Sequence, residues 1–305
     1  MRELSDDQAP HGNKRPAEPL GHRTDMTKRE GEAWRPPAFA VPSTRARRMT
    51  AAFRRFLDLQ AGTIWRDLSA LLPTCEGVVL DVGCGAQPYR SLVSPQGKYI
   101  GIDTADAKSL FGYEIPDTIH FQGNRWPLDN ASVDIVLCTE TMEHVADTRQ
   151  FVSEIARVLR PGGELILTVP FSARYHFIPH DYWRFTPASL KQIFSAPHFQ
   201  SVSVYARGNA VTVACYKVMA LVLPLLHTSR PSAFLRYTSR VVGLALSPLV
   251  LVLATIANVS IRGRGGDDCL GYTVLARRCG VAKPATSDGS SANVVSGVAA
   301  EADAT

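Results

Sequence analysis

A glycine-containing turn after an apolar segment carries the residues best suited to bind a small molecule. The segment Val78–Val82 is apolar except for Asp81, and this pattern is typical of a buried parallel strand. Gly83 and Gly85 follow it, and glycine allows a tight turn and a close approach of the backbone to a ligand. Because α/β sheets bind nucleotide-like molecules at such a turn, we expect a ligand here.

A second carboxylate, Asp103, ends the short apolar segment 98–103 and lies 18 residues beyond Gly85. This is close to the spacing that places an acidic residue from the second strand on a ribose. A carboxylate suits that place because it accepts hydrogen bonds from both ribose hydroxyls.

The segment 170–186 combines aromatic residues with side chains that can move or hold a proton. His176 and His180 titrate near neutral pH, so either can act as a general base. Asp181 and Arg184 can orient that base or bind a polar group of the substrate. The alternative is that Asp181 and Arg184 pair only to hold the loop, above Trp183 and other packed aromatic residues.

The elements that position these residues alternate between strand and helix, which predicts a parallel sheet. We expect an α/β fold, a Rossmann-like, doubly wound, mostly parallel seven-stranded sheet with helices on both faces. The predicted strands are 78–82, 98–103, 118–122, 132–138, 164–169, 201–206 and 271–277, and the predicted helices are 45–72, 147–159 and 190–194. Arg160-Pro-Gly-Gly163 is expected to end the second helix. Because ligands sit beyond the carboxyl ends of such strands, the 170–186 loop should cover the site.

Four motifs in order over residues 75–170 resemble class I S-adenosylmethionine (SAM) dependent methyltransferases of the type 11 family. They are Asp81-x-Gly83-x-Gly85, the run from Pro127 to Val136, Glu143-His-Val, and Leu159-Arg-Pro-Gly-Gly163 followed by a strand. A nicotinamide dehydrogenase is disfavoured, because its fingerprint has a third glycine where this chain has Pro88. The 170–186 loop also resembles a loop found in type 11 enzymes linked to surface glycans or lipids.

The resemblance implies SAM as the cofactor and a set of residues around it. Asp81, Gly83 and Gly85 would surround its methionine part, and Asp103 its ribose. Gln122 stands where the family often has an acidic residue against adenine. Thr139, together with its neighbour Cys138, would line the site through backbone groups. His144 is expected to be a packed structural residue.

An apolar insert at 210–262 separates the last two predicted strands. It contains two apolar segments of 17 residues, 210–226 and 241–257, with Pro224 and Pro248 expected to break or kink them. Because both flanking strands belong to one sheet, the chain must return to the side it left, so one transmembrane span is excluded. A hairpin dipping into a membrane, helices on its surface and an added hydrophobic layer remain open.

Composition and cysteine spacing limit the partners, the metal sites and the cellular compartment that we expect. The chain has 305 residues, a net charge of +5 and no basic face interleaved with aromatic residues, so no nucleic acid is expected as a partner. The six cysteines are scattered without a CxxC pair, which argues against a zinc site and for a reducing compartment. No metal is expected. Residues 1–44 and 282–305 are expected to be disordered tails around a domain at 45–281, and no signal peptide is expected.

The hypothesis that follows is a cytoplasmic methyltransferase, at the inner face of the membrane if the insert contacts lipid. Its acceptor would be a small molecule, a glycan or a lipid-linked compound, with O-methylation favoured. The alternative is a non-catalytic SAM-binding scaffold that the insert recruits to a membrane or a partner. The sequence leaves the oligomeric state open.

Overall fold

The computed structural model describes residues 44–112, 115–195, 197–226, 232–263 and 265–280, with isolated positions at 24, 26, 29 and 31. The tails expected to be disordered therefore lie almost wholly outside the described residues.

Seven strands form one sheet in the order β3-β2-β1-β4-β5-β7-β6. All neighbouring strands are parallel except β7, which pairs antiparallel with both β5 and β6. The predicted Rossmann-like, doubly wound sheet is confirmed. The strands are β1 Val78–Val82, β2 Lys98–Thr104, β3 Thr118–Phe121, β4 Val133–Thr139, β5 Leu159–Pro170, β6 Phe199–Arg207 and β7 Gly271–Arg278.

Helices cover both faces of this sheet. The helices are α1 Arg45–Leu57, α2 Leu59–Leu71, α3 Ala107–Phe111, α4 Thr148–Val158, α5 Pro187–Ile193, α6 Ala210–Leu226, α7 Ala233–Ala245 and α8 Ser247–Ser260. The helix predicted over 45–72 is thus two helices. Asp58 separates them, and its side chain accepts a hydrogen bond from the Ala61 backbone N–H and so begins α2.

Alternation along β1 divides the core between the two faces. Leu80 and Val82 pack with the α4 side, and Val79 packs with α2 on the other side. Because successive strand side chains point to opposite faces, a strand buried on both faces is apolar throughout. Asp81 is the one carboxylate in β1, so its burial requires a separate explanation.

The junction between α4 and β5 differs from the prediction. The sequence predicts a turn from Arg160 to Gly163, but β5 already begins at Leu159, directly after α4. In the pairing with β4, Val133 lies opposite Leu159, but Ile135 lies opposite Glu164. Strand β5 therefore has more residues than β4 between these two pairs, and the extra residues form an irregularity within β5. The Arg160 side chain pairs there with Asp134.

The insert is three helices rather than two. The predicted 241–257 segment crosses the junction between α7 and α8, and Pro248 lies in the first turn of α8, where proline is tolerated. Pro224 lies inside the last turn of α6. Residues of α6 and α8 form a hydrophobic cluster that is joined to the domain through Leu59 and Leu270.

Among the described residues, no helix alone has the length and apolar composition needed to cross a membrane. By those two measures, within the same part of the chain, only the pair α7 and α8 qualifies, and the two helices meet at a 48° bend. Strands β6 and β7 are neighbours in one sheet, so the chain does return after the insert, as predicted.

Candidate functional site

The glycine turn after β1 is built so that a side chain would not fit. Gly83 has φ +68°, and a Cβ there would lie 2.5 Å from the Thr141 side chain. Its backbone N–H donates to the Ile102 carbonyl at 2.9 Å, which fixes the turn against β2. Gly85 also has a positive φ, of 49°. Both glycines therefore supply a backbone conformation that L side chains rarely adopt.

Asp81 is a buried carboxylate with an unsatisfied oxygen. Its side chain is at the carboxyl end of β1, and the residue is 1% exposed. The Tyr99 hydroxyl donates to Oδ2 at 2.7 Å, whereas Oδ1 has no hydrogen-bond partner among the described residues. Burial raises the pKa of Asp81 to about 7, against the opposing effect of the Tyr99 hydrogen bond. A buried oxygen without a partner indicates a place for a ligand that donates a hydrogen bond or carries positive charge.

Asp103 ends β2 beside the same turn. Its Oδ2 accepts from the Gly85 backbone N–H at 2.9 Å, and its Oδ1 accepts from the Thr104 N–H at 2.8 Å. Burial raises the pKa of Asp103, and these two backbone hydrogen bonds oppose that shift. The sequence placed Asp81, Gly83, Gly85 and Asp103 at one site, and the structure brings them together.

The two remaining cofactor candidates lie at the same edge of the sheet. Thr139 ends β4, and its carbonyl accepts a hydrogen bond from the Thr141 hydroxyl, which also contacts the Gly83 turn. Gln122 directly follows β3, and its side chain is exposed.

The loop after β5 contains a tightly hydrogen-bonded cluster of three residues. Arg184 binds Asp181 with two hydrogen bonds, at 2.6 Å to Oδ1 and 2.8 Å to Oδ2. The Nδ1 of His176 lies 3.1 Å from Asp181 Oδ2. Burial alone would raise the pKa of Asp181, but the hydrogen bonds from Arg184 and His176 outweigh it and hold that pKa well below its usual range. Burial lowers the pKa of His176, whereas the hydrogen bond to Asp181 raises it, and the net shift is upward.

His180, the second candidate base, lies apart from this cluster. Its side chain is exposed, with Nδ1 at 3.3 Å from the Tyr182 hydroxyl. Its backbone carbonyl is 2.8 Å from Nδ1 of His144. The geometry therefore distinguishes the two histidines that the sequence left equivalent, and His176 is the one oriented by a carboxylate.

The expected packing role of the aromatic residues in the loop is partly met. Phe185 is buried, and Trp183 stacks on it with ring centroids 6.2 Å apart. The Trp183 indole N–H donates to the Val145 carbonyl at 2.9 Å, and the Tyr182 N–H donates to the Glu143 carbonyl at 2.9 Å. These bonds attach the loop to the turn that follows β4.

Sequence reasoning missed how much charge is buried after β4. Glu143 is fully buried, and His144 beside it has its pKa lowered to about 4 by burial. Glu140 Oε1 accepts from the guanidinium of Arg207 at 2.7 Å, and Arg207 itself is 1% exposed. Adjacent Glu143 and His144 directly after a buried strand were a local signal for such a site. Arg207 had none, because 67 residues separate it from Glu140.

Comparisons with known proteins agree with this arrangement. A model of the methyltransferase domain family matches residues 80–167. A probable S-adenosylmethionine-dependent methyltransferase from Mycolicibacterium smegmatis is 38% identical over 96 residues, covering 30% of this chain and 37% of that protein. A ubiquinone biosynthesis O-methyltransferase from Idiomarina loihiensis is 31% identical over 102 residues, covering 30% of this chain and 41% of that protein.

A putative sarcosine dimethylglycine methyltransferase from Galdieria sulphuraria is a structural neighbour at 16% identity and a TM-score of 0.43, covering 76% of this chain and 88% of that one. The chain spans only 37% and 41% of the length of the two curated relatives. The matched segment 80–167 contains Asp81, Gly83, Gly85 and Asp103, and it covers most of the five strands that lie in the order β3-β2-β1-β4-β5. On that segment, the chain matches the methyltransferase domain family, and the relatives that it resembles there include probable SAM-dependent methyltransferases.

Proposed function

We propose that this protein transfers the methyl group of SAM to a hydroxyl oxygen of a small-molecule, glycan or lipid-linked acceptor. We favour an acceptor that has an apolar part. The observation that carries the proposal is the His176, Asp181 and Arg184 cluster on the loop above the β4 and β5 ends, the edge that also holds the Gly83 turn. The ubiquinone O-methyltransferase relative supports transfer to oxygen.

The residues of the turn fit the cofactor. Asp81 Oδ1 is buried without a partner among the described residues, and a bound cation at that place would satisfy it. The Gly83 turn leaves the space that a Cβ would occupy. Asp103 has a carboxylate beside Gly85 for the ribose hydroxyls. When bound, SAM supplies a methyl group already activated on a sulfonium.

The chain's own residues then align the acceptor and accept one proton. His176 is held by Asp181, and Asp181 is held by Arg184, so the imidazole is oriented before the acceptor binds. The Asp181 carboxylate stabilises the imidazolium formed when His176 takes the hydroxyl proton. Alignment of acceptor and methyl group supplies much of the remaining rate enhancement.

An apolar groove beside this cluster supports an acceptor with a hydrophobic part. The groove is a cavity of about 680 Å³, a size typical for small organic ligands. Arg174 is among the residues that line it, and the Arg174 carbonyl accepts a hydrogen bond from the Arg184 guanidinium at 2.9 Å. The groove lies between α1 and α6, and its apolar lining includes Phe53, Leu57, Tyr216, Met219 and Leu223.

The insert helices α6 and α7 support the proposal that the protein works at the inner surface of the cytoplasmic membrane. Their outer face carries large exposed apolar side chains, among them Leu221 at 75% and Leu244 at 69% exposure. Basic residues such as Arg240 lie on the same helices, and basic residues next to apolar ones favour anionic headgroups.

Methyl transfer is tested with purified protein, labelled SAM, and fractionated lipids and metabolites. Wild-type protein should label a hydroxyl-bearing fraction, and His176→Ala should abolish labelling while SAM binding by calorimetry is kept. His198→Ala, an exposed histidine away from the loop, is the matched control and should label normally. SAM binding without labelling of any fraction would favour the scaffold instead.

Membrane contact is tested by co-sedimentation with vesicles. The wild type should sediment with anionic vesicles, and a Leu221→Glu and Leu244→Glu double variant should remain in the supernatant. Tyr205→Glu changes an exposed hydrophobic side chain outside the insert and should bind like the wild type. A wild type that ignores vesicles would contradict the membrane proposal without affecting methyl transfer.

A further inference from the structure

Three side chains at the acceptor end of the sheet converge without serving the cofactor. Glu143 and His144 come from the turn after β4, and His176 comes from the loop after β5. Each offers one ligand atom, and these atoms lie within 4.8 Å of one another. Two imidazoles and one carboxylate form a donor set that divalent transition metals bind.

Glu143 provides independent evidence for a cation at this place. Its side chain is fully buried, and neither carboxylate oxygen has a hydrogen-bond partner in the described part of the chain. A buried carboxylate in this state is stabilised either by a proton or by a cation.

Both histidines are held in the manner of metal ligands. His144 Nδ1 lies 2.8 Å from the His180 carbonyl, so this nitrogen carries the hydrogen and Nε2 carries the lone pair. That Nε2 lies 3.6 Å from Glu143 Oε1. His176 Nδ1 lies 2.9 Å from the Arg174 carbonyl and 3.1 Å from Asp181 Oδ2. Metal-binding histidines typically donate their other N–H to a carbonyl or carboxylate in this way.

We propose that Glu143, His144 and His176 bind a divalent transition-metal ion of the Zn²⁺ type. Ligand atoms of a tetrahedral zinc site lie about 3.4 Å apart, so the three atoms need to approach by about 1 Å. Three protein ligands leave a fourth position open to a water molecule or an acceptor oxygen. The scattered cysteines that argued against zinc are not part of this site.

The role of the ion in the reaction rests on the proposed function, whereas ion binding does not. An acceptor hydroxyl at the open position would lose its proton to solvent water more readily, because the ion stabilises the alkoxide. The oxygen lone pair then forms the new bond to the methyl carbon, and the carbon–sulfur bond electrons return to sulfur. In the ion-loaded protein His176 is a ligand and does not itself take the proton.

The test measures Zn²⁺ binding to the full chain after dialysis against a chelator. Competition with a fluorescent zinc indicator should give one ion per chain. Glu143→Gln and His176→Ala should each weaken binding by about 100-fold or more. Asp181→Asn alters the carboxylate that supports His176 and pairs with Arg184, and it should weaken binding by about 10-fold. His198→Ala should leave binding unchanged. Because Glu143→Gln alters the core, circular dichroism is recorded for each variant, and His176→Ala on the loop is decisive if Glu143→Gln does not fold.

A second readout uses Co²⁺ in place of Zn²⁺, since its visible absorption reports coordination by nitrogen and oxygen ligands. The spectrum should be lost in His176→Ala and kept in His198→Ala. Absence of a bound ion, or equal weakening by His198→Ala, would overturn the inference. Full methyl transfer by chelator-treated protein would overturn the metal's role in catalysis and leave the proposed function intact. Specific ion binding without transfer to any acceptor would overturn the proposed function and leave the metal site itself intact.

Discussion

The cofactor side and the acceptor side of this site are built in different ways. On the proposed cofactor side, most candidate residues lie within 81–104. Backbone geometry sets their arrangement, through two glycines with positive φ and two backbone N–H groups that donate to Asp103. On the acceptor side, buried charged side chains come from separate segments and hold one another, as Arg184 holds Asp181 and Arg207 holds Glu140. A short backbone turn is enough to bind a cofactor whose structure never changes. The proposed acceptor site instead uses charged side chains, and partners from distant segments compensate their charges.

The first test of this difference places a side chain in the Gly83 turn. Gly83→Ala places a Cβ against Thr141 at a φ of +68°, so both strain and a clash oppose it. We expect SAM affinity to fall by at least about 100-fold and the free energy of unfolding to fall by about 2–4 kcal/mol. Calorimetry with SAM and urea denaturation measure the two effects.

Gly112→Ala is the matched control for that variant. Gly112 has φ +77°, and a Cβ added there would meet no atom of the described residues within 4 Å, so this variant carries the strain without the clash. It should cost about 1–2 kcal/mol and leave SAM affinity unchanged. Equal SAM affinity in the two variants would show that the Gly83 turn does not hold the cofactor.

The second prediction addresses the acceptor side through Asp181→Asn. In the protein without a bound ion, the hydrogen bond to Asp181 raises the pKa of His176, so its loss should move the acid limb of the pH–rate profile to lower pH. We also expect kcat to fall by about 100-fold with SAM affinity unchanged. A lower kcat with an unmoved acid limb would assign Asp181 a purely structural role in the loop.

The third prediction separates the ribose carboxylate from general charge near the turn. Asp103→Asn should weaken SAM binding by about 10-fold, because a charge-assisted hydrogen bond contributes about 1.5–3 kcal/mol and the amide retains part of it. Asp106→Asn, three residues further on, is the control, since the Asp106 side chain makes no capping hydrogen bond to the described helix α3. Similar losses in both variants would indicate a long-range charge effect instead of direct binding.

The fourth and smallest effect concerns the pH dependence of Asp81. Its folded pKa of about 7 lies above the ordinary value near 4, so the folded state holds the proton more tightly than the unfolded state. The free energy of unfolding should therefore fall as pH rises from about 4 to about 7, and then level off. SAM, which carries a positive sulfonium, should bind the folded protein more tightly as Asp81 ionises around pH 7.

Asp81→Asn should remove the pH dependence of both the free energy of unfolding and the SAM affinity. Tyr99→Phe removes the hydrogen bond that lowers the Asp81 pKa, so it should move both transitions to higher pH. Urea denaturation and SAM titration between pH 5 and 8 measure them. Slopes that persist in Asp81→Asn would have to come from another group.

Much of the fold followed from local patterns. Apolar strands ending near Asp81 and Asp103 predicted the sheet, which the structure has, and the sheet edge at which these two carboxylates lie beside the glycine turn. Boundaries were less accurate where one residue decides them. Asp58 divides a continuous amphipathic pattern into two helices, and Pro248 begins a helix because proline is tolerated in the first turn.

The sequence by itself indicated a methyltransferase domain through motifs spread over residues 75–170. It also predicted the glycine turn and its two carboxylates, because those residues lie within 25 positions and their contacts follow from strand and turn geometry. Only the tertiary structure decided which histidine the Asp181 carboxylate orients, and that Glu143 and His144 lie beside His176. Side chains on separate loops meet only after the sheet has set the distance between the strand ends. Burial then fixes their charges, and burial is a property of the whole fold rather than of a segment.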